Sequence, residues 1–234
     1  MRFSFAALAL LLPLSAALAQ PLDMRLSAWT PQLLPKVQRP TQWTQTSEQD
    51  AVVIEAHAAA SASGLTQKVD WPGDTRLGWR WQVSHSVKNS RLAVKAGDDF
   101  SARLYVLFDP PDDQLTFGER AKLALGRRLF GDSLPRAALC YVWGTEDRVG
   151  TIAPNAYTDR VRMIVLDQGD AQAGRWQIHE RDLAADYIAA FGRAPAPRIV
   201  GLSLMSDTDN TGDEVRARFA DIQRIAKTAA GSER

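Results

Sequence analysis

The amino-acid sequence predicts an all-β protein: an antiparallel two-sheet jelly-roll sandwich with one or two accessory helices. Segments in which apolar and polar residues alternate recur along the chain, and a period of two is typical of strands with one buried face. Helical patterns occur in only two segments, without the regular β-α-β alternation of a parallel fold. Hydrophobic residues make up 45% of the 234-residue chain, and its single cysteine excludes an internal disulfide. Stability must therefore come from burial of a core.

The first residues, MRFSFAALALLLPLSAALAQ, predict a secretory signal peptide. Arg2 precedes an apolar run that begins at Phe5, and the small-residue cleavage pattern ends at Ala19. The run is too short for a comfortable transmembrane span, and a lipid anchor would need a cysteine near the cut. We expect residues 1–19 to be removed and the remainder to be an exported, soluble protein of the periplasm.

The charge balance and the reactive side chains limit the classes of function that fit this sequence. Loss of Arg2 leaves 27 basic and 27 acidic residues, and this balance argues against a general nucleic-acid or anionic-membrane binder. Cys140 lies in the apolar run AALCYVW without a flanking cation to lower its pKa, so we expect a buried structural thiol. His57, His85 and His179 lie on separate segments without zinc-ligand spacing.

The domain organisation follows from where alternation begins and ends. Residues 20–42 contain four prolines and no clear period, which predicts an extended lead-in to a sandwich domain at 43–226 and a flexible tail at 227–234. About nine strands are predicted from alternation, and the segment DQGDAQAG (167–174) between two of them predicts a hairpin connection. The strand patterns are AVVIEAHA (51–58), GWRWQVS (78–84), FSARLYVLF (100–108), AALCYVW (137–143), VRMIVL (161–166), RWQIHER (175–181), IVGLSLM (199–205) and EVRARFADIQRIA (214–226).

Two segments carry helix signals. In TFGERAKLALGRRLFG (116–131), Thr116 and Glu119 have capping-box spacing, and the pattern ends at Gly131. In DLAADYIAAFG (182–192), Asp182 is the predicted N-cap and Gly192 the stop. One face of the first helix is apolar and is formed by Phe117, Ala121, Leu125 and Leu129.

The order of several short motifs resembles a known family. Between residues 40 and 226 the chain contains in turn SASGL, WRW, KAGDDFSARLYVLF, YVWG, RVRMIVLDQG, DYIAAFG and GLSLMSDTDNTGDEVRARFADI. Together they resemble the bacterial exported family catalogued as domain of unknown function 3047, which has no assigned activity. The charged loop before a last strand reading RFADIQRI is also similar to jelly-roll carbohydrate-binding modules and galactose-binding-like domains. That second resemblance implies a glycan or another polar envelope component as ligand.

The stretch SDTDNTGDE (206–214) has an oxygen-rich composition. Asp207, Asp209, Thr211 and Gly212 match the first half of a calcium loop, and the first three are candidate metal ligands. The position that should supply a bidentate glutamate is Arg218, so a calcium ion would need oxygens from elsewhere. The alternative is a turn in which Asp and Asn side chains cap their own backbone amides.

A second acidic pair, Asp98 and Asp99, precedes a strand pattern. Adjacent residues on a strand point to opposite faces, so the two carboxylates can serve one centre only if a turn or bulge intervenes. Placed at the mouth of a strand, they could meet the loop 206–213 or an arginine. A structural salt bridge or turn is the alternative.

Arginines alternate with apolar residues on three of the predicted strands. If these strands share a sheet, Arg80, Arg103 and Arg162, with Tyr105, line one polar surface suited to hydroxyl-rich or acidic ligands. The alternative is a solvent-facing sheet with cross-strand ion pairs.

Tryptophans divide into core and loop candidates. Trp79 and Trp81 share one strand face and predict core packing, whereas Trp143, before a glycine, predicts an exposed platform for stacking on a sugar ring. Trp71, before Pro72, is a second loop candidate.

These observations favour an exported, non-catalytic domain that binds a carbohydrate or another polar envelope ligand. One alternative is a glycan hydrolase that uses Asp98, Asp99, Asp207 or Asp209, and another is an envelope interaction protein that docks through the helix 116–131. No cofactor other than a structural calcium ion is suggested. The predicted ligand-binding residues are Arg80, Asp98, Asp99, Arg103, Trp143, Arg162, Asp207, Asp209 and Asn210.

Overall fold

A computed structural model describes residues 19–35, 37–121 and 136–225. This part of the chain forms thirteen strands in two sheets, with α-helical residues at 117–121 and at 183–191. The elements are β1 (Ala19–Pro21), β2 (Thr30–Leu33), β3 (Gln42–Glu48), β4 (Ala51–Ala59), β5 (Ala62–Trp71), β6 (Arg76–Val83), β7 (Arg103–Asp109), β8 (Ala137–Gly144), β9 (Ile152–Pro154), β10 (Val161–Gln168), β11 (Gln177–Asp182), α1 (Leu183–Phe191), β12 (Arg198–Asp207) and β13 (Glu214–Ile225).

The two sheets form a sandwich. Sheet A has the order β11-β6-β13-β4-β3, with β1 paired to β13, and sheet B has the order β2-β5-β12-β7-β8-β10-β9. The pair β8–β10 is parallel and the other strand pairs of the described residues are antiparallel. The prediction of an antiparallel two-sheet jelly-roll sandwich is confirmed.

Alternation places the core between the sheets. Trp79 and Trp81 of β6 are 2% and 0% exposed, as predicted, and the Trp79 ring lies 5.2 Å from that of Tyr141 across the sandwich. Phe219 of β13 and Leu104 of β7 are fully buried in the same core. Burial of side chains of this size contributes about 1.5–3 kcal/mol each, and this is what holds the layers together.

The strand count exceeds the prediction because some strands lack alternation. β3, with the sequence QWTQTSE, is an edge strand whose residues are polar at all positions but one. β5 begins with the small residues Ala62, Ser63 and Gly64, which gave no apolar signal although all three are buried. Propensity and period are weak where a strand is an edge or consists of small residues.

The prediction of a hairpin at 167–174 is wrong. β10 pairs with β8 and β9 in sheet B, whereas β11 pairs with β6 in sheet A, so the segment crosses between the layers. The Asp170 carboxylate anchors the crossing by accepting hydrogen bonds from the backbone N–H and hydroxyl of Ser86, at 2.6 and 2.8 Å. A short polar connection has the same composition in both arrangements, and only the pairing of the flanking strands distinguishes them.

Both predicted helix starts are present. Thr116 and Glu119 form the capping box: the Thr116 N–H donates to Glu119 Oε2 at 2.8 Å, and the Glu119 N–H donates to Thr116 Oγ1 at 3.2 Å. Residues 117–121 are helical, and 122–135 lie outside the described residues. Asp182 caps α1, and Gly192 ends it with a φ of 67°. No helix within the described ranges is long and apolar enough to span a membrane.

The predicted lead-in contributes to both sheets. β1 pairs with β13, and β2 pairs with β5. Between them, Trp29 is 4% exposed, and its indole N–H donates to the carbonyl oxygen of Asp23 at 3.1 Å. Pro21 and Pro31 therefore lie in edge strands, where a missing N–H is tolerated.

Candidate ligand-binding site

The acidic loop 206–213 carries the chain from β12 to β13, and Asp207 at its start is buried. One oxygen of Asp207 accepts hydrogen bonds from Arg103 Nε at 2.7 Å and from the Phe100 N–H at 3.1 Å, and its other oxygen accepts one from Arg103 Nη2. Arg103 is 1% exposed and also donates to a carboxylate oxygen of Asp98 at 3.2 Å and to the Asp98 carbonyl at 2.6 Å. The planar guanidinium of Arg103, at the start of β7, thus links this strand to Asp207 at the end of β12 and to Asp98 in the segment before β7.

Asp99 holds the rest of the loop. Its carboxylate accepts hydrogen bonds from the N–H groups of Asn210 and Thr211, at 3.0 and 2.7 Å, and from the Thr211 hydroxyl and the Asn210 amide, at 2.8 and 2.9 Å. Asp98 and Asp99 serve one cluster because residues 95–97 form a 3-10 turn and β7 begins only at Arg103. We call Asp98, Asp99, Arg103 and Asp207 the Arg103 cluster.

A calcium ion beside the Arg103 cluster would compete with hydrogen bonds that the protein already makes. Carboxylate oxygens of Asp99, Asp207 and Asp209 lie within 4.8 Å of one another, but those of Asp99 and Asp207 already accept N–H and O–H donors from the protein. A cation would have to displace these donors and reach six or more oxygens. Burial raises the pKa of Asp207 to about 7 against the opposing effect of Arg103. Burial, with the charge of Asp99 adding to it, also raises the pKa of Asp209.

The three predicted arginines do not share a surface. Arg80 lies on the outer face of sheet A and donates to Asp221 at 2.6 Å. Arg103 lies in sheet B, and Arg162 is on the inner side of sheet B with its guanidinium carbon 5.6 Å from the centre of the Phe191 ring. The prediction is wrong because alternation assigns a face of a strand without saying to which sheet the strand belongs.

The predicted stacking platform is also wrong. Trp143 is 0% exposed, and its indole N–H donates to the Gly169 carbonyl at 2.9 Å. All eight residues of β8, an interior strand of sheet B, are buried, so both faces of the strand are covered. Trp71, the second candidate, is half-buried at the end of β5 and packs against the core.

A polar surface of the expected kind lies instead on the outer face of sheet A. Gln42 of β3, His57 of β4 and Arg216 of β13 occupy one row across three neighbouring strands, because Gln42 and Arg216 both pair with His57. The next row contains Thr44, Glu55, Arg218 and Gln82 in the same way. Side chains in such rows stand about 5 Å apart and act on a ligand together.

Arg218 is held in place at the centre of this face. It donates to Glu55 Oε1 at 2.8 Å, to Glu48 Oε2 at 2.7 Å and to Gln82 Oε1 at 3.1 Å. The ring of Trp176 lies over Arg218, with 5.0 Å from the guanidinium carbon to the ring centre, and its indole N–H donates to Glu48 at 3.0 Å. The face is therefore ordered by its own hydrogen bonds.

Two open grooves border the outer face of sheet A. The larger has a volume of about 410 Å³, and within it His57 Nε2 lies 2.8 Å from Glu214 Oε1. A second groove of about 310 Å³ lies along β6 and β11, beside Arg80 and Asp221. The larger groove, called the Arg39 groove below, is lined by Gln38, Arg39, Pro40, Gln42, His57, Ala59 and Ser61.

Sequence reasoning missed this face although a signal for it existed. Arg216 and Arg218 in EVRARF alternate with Val215, Ala217 and Phe219, the same pattern that selected Arg80. Their apolar neighbours are all buried, so both arginines point outward. The signal for β3 was absent because that strand is polar at every position except Trp43.

The family model described as protein of unknown function, DUF3047, matches residues 27–223. The chain belongs to this family. This agrees with the resemblance noted from the sequence, whose motifs span residues 40–226. A search of curated proteins found no match.

Several solved structures resemble this chain. A family 12 xyloglucanase from Bacillus licheniformis in complex with ligand has 7% identity and a TM-score of 0.45, with 90% of this chain and 99% of that chain covered. The xyloglucanase domain of NopAA from Sinorhizobium fredii, in complex with cellobiose, has 8% identity and a TM-score of 0.42 over 85% and 93% of the chains. The cellulose-induced protein Cip1 has 10% identity and a TM-score of 0.41 over 90% and 97%.

Proposed function

We propose that this protein is an exported, non-catalytic domain that binds a carbohydrate or another polar component of the cell envelope on the outer face of sheet A. The observation that carries the proposal is the ordered polar face formed by β3, β4, β13 and β6, with the Arg39 groove at one end. Amide, imidazole, guanidinium and carboxylate groups in register match the neighbouring hydroxyl groups of a sugar, which both donate and accept hydrogen bonds.

The rigidity of the face supports binding. Its side chains project from strands, and Arg218 is fixed by Glu48, Glu55 and Gln82 before any ligand arrives. Immobilising a long side chain on binding costs about 0.5–1.5 kcal/mol, so groups that are already ordered leave more of the interaction energy for affinity.

The buried state of the Arg103 cluster favours binding over hydrolysis. Glycoside hydrolysis needs two carboxyl groups that face one bond from opposite sides, about 5–10 Å apart. Asp98, Asp99 and Asp207 are 6%, 0% and 2% exposed and accept hydrogen bonds from the protein, which leaves Asp209 as the exposed member of the four candidates. On the outer face of sheet A, Glu55 is engaged by Arg218 and Glu214 contacts His57.

Export is part of the proposal and is supported by the predicted signal peptide at residues 1–19. The strand β1 starts at Ala19, the last residue of that segment, and pairs with β13. Cleavage after Ala19 would leave Gln20 and Pro21 to form the remaining β1 pairing at the start of the mature chain.

A second candidate function, an envelope interaction protein that docks through the helix 116–131, is favoured by one observation. Phe117 is 81% exposed, whereas Leu125 and Leu129 of the same predicted face lie outside the described residues. Crosslinking from a photoreactive residue placed at Phe117 in cells tests this candidate, and it would be abandoned if no partner is captured above the level of an exposed control site.

The main proposal is tested with residues 20–234 and a panel of envelope glycans. Titrations followed by amide NMR should give saturable shifts on β3, β4 and β13. Substituting Gln42→Ala together with His57→Ala should weaken binding about 10-fold or more, because each lost hydrogen bond to a ligand is worth roughly 1 kcal/mol. Gln172→Ala, at an exposed site on the segment 167–174, is the matched control and should bind as the unmodified chain does. Saturable shifts confined to sheet B, or no binding to any glycan, would overturn the proposal.

A further inference from the structure

We infer that the Arg39 groove binds an anionic substituent of the glycan, a carboxylate or a phosphate. The inference rests on the proposed function and names the class of ligand for the same face. The side chains around the groove are mostly basic or amide-bearing. Arg39 and His57 line it, and Arg216 stands directly opposite His57 on the neighbouring strand.

In the described part of the chain, the absence of an ion pair distinguishes Arg39 and Arg216 from Arg80 and Arg218. Arg80 has Asp221 as partner at 2.6 Å, and Arg218 has Glu55 at 2.8 Å. Within residues 19–35, 37–121 and 136–225, the guanidinium groups of Arg39 and Arg216 form no ion pair with a carboxylate. Both are exposed, so their donors face the solvent side of the sheet.

The carboxylate of Glu214 lies beside these basic side chains. Glu214 lies 2.8 Å from His57 Nε2, and its side chain is 66% exposed. One guanidinium group and an imidazole therefore line the groove, Arg216 stands beside it on the neighbouring strand, and Glu214 already has His57 as partner. An anion placed between Arg39 and Arg216 would meet two guanidinium groups that have no carboxylate partner among the described residues. Each guanidinium can donate two parallel hydrogen bonds to the anion.

The carboxamides of the groove indicate a sugar that carries the anion. Gln38 and Gln42 line the same groove, and each offers one acceptor oxygen and two N–H donors. These groups suit hydroxyls beside the charged substituent rather than the charge itself. A uronic acid or a phosphorylated sugar has this combination of one anion and neighbouring hydroxyls within a single ring.

The experiment compares matched acidic and neutral ligands by isothermal titration with residues 20–234. The ligands are an oligogalacturonide, the same oligosaccharide with its carboxyl groups reduced, a phosphorylated oligosaccharide and inorganic phosphate. We expect at least one acidic oligosaccharide to bind about 10-fold or more tightly than its neutral counterpart, and this ratio to shrink when salt is raised from about 0.05 M to about 0.5 M.

Substitutions test whether the preference for the acidic ligand depends on the groove. Arg39→Gln and Arg216→Gln should each reduce the preference for the acidic ligand several-fold while leaving affinity for the neutral ligand unchanged. Arg148→Gln, at an exposed arginine before β9 in sheet B, is the matched control and should retain the preference. Unchanged melting temperatures confirm that these surface variants remain folded.

The possible results separate this inference from the proposed function. Equal affinity for acidic and neutral oligosaccharides overturns the inference and leaves carbohydrate binding intact. Loss of binding to every oligosaccharide overturns both. A preference for carboxylate or for phosphate supports the inference and identifies the anion. Inorganic phosphate that binds as tightly as the phosphorylated oligosaccharide, and depends on Arg39, supports the anion site but removes the sugar from the proposal.

Discussion

Replacing Arg103 by methionine should cost this protein about 3–5 kcal/mol of its free energy of unfolding, the penalty for removing one partner of a buried ion pair. Arg103 is 1% exposed, and its guanidinium donates to both Asp207 and Asp98, which are 2% and 6% exposed. Methionine has a similar volume but no charge, so both carboxylates would remain buried without their cation. The upper part of the range is expected because two acids lose their partner.

Urea unfolding of residues 20–234 followed by tryptophan fluorescence measures this loss. For a domain of this size 1 kcal/mol corresponds to about 2–4 °C, so a loss of about 4–5 kcal/mol should lower the melting temperature by about 8–20 °C. Arg103→Met combined with Asp207→Leu should recover part of the loss, because the second substitution removes an unpaired buried charge. Arg148→Met, at an exposed position, controls for loss of an arginine alone.

The loss should also depend on pH. Burial raises the pKa of Asp207 to about 7 even beside Arg103, and removal of Arg103 can only raise it further. A group whose pKa is higher in the folded state binds protons on folding, so its contribution to stability is lost as pH rises through the folded value. Asp207 of the unmodified chain takes up its proton near pH 7, whereas in the variant it does so at a higher pH, so the deficit should be larger at about pH 9 than at about pH 6. A deficit below about 1 kcal/mol at pH 7, or one that grows on acidification, would refute this account of the cluster.

Three further results are expected. EDTA should leave the melting temperature unchanged, because the oxygens of Asp99 and Asp207 are taken by protein donors; a drop that calcium reverses would contradict this. Burial raises the pKa of the Cys140 thiol to about 12, so a thiol reagent at about pH 8 should label the unfolded chain and not the native one; rapid stoichiometric labelling in native buffer would show that the thiol is accessible. Asp182→Ala removes the side chain that accepts from the Ala184 and Ala185 N–H groups and should cost about 1 kcal/mol by urea unfolding, whereas Asp182→Asn should cost less.

Much of the fold could be predicted because most core strands alternate. GWRWQVS placed Trp79 and Trp81 in the core correctly, since a period of two is enough to assign a buried face. β3 could not be found in this way because an edge strand buries little. The path of 167–174 could not be found either, since it depends on which strands β10 and β11 pair with, and pairing is a property of distant residues.

The contacts of Asp98 and Asp99 in the candidate site could be predicted from the sequence. Asp98 and Asp99 meet an arginine and the loop 206–213, as the sequence suggested for carboxylates at a strand mouth. The prediction that Arg80 and Arg103 share a surface is wrong because these residues belong to different sheets. Whether a polar side chain faces solvent or the other layer is decided by topology, which a single strand pattern does not contain.

The loop 206–213 is the path by which the chain leaves one layer of the sandwich and enters the other. Asp207 ends a strand of sheet B and Glu214 begins a strand of sheet A. The Arg103 cluster is hydrogen-bonded to Asp207 and to the loop that follows it. Sliding of one sheet over the other at this end would pull the loop away from the buried Asp99 carboxylate, which accepts hydrogen bonds from Asn210 and Thr211, and would leave a buried charge without its donors. The layers should therefore move as one body, and a ligand on the outer face of sheet A would meet a platform whose curvature is already set.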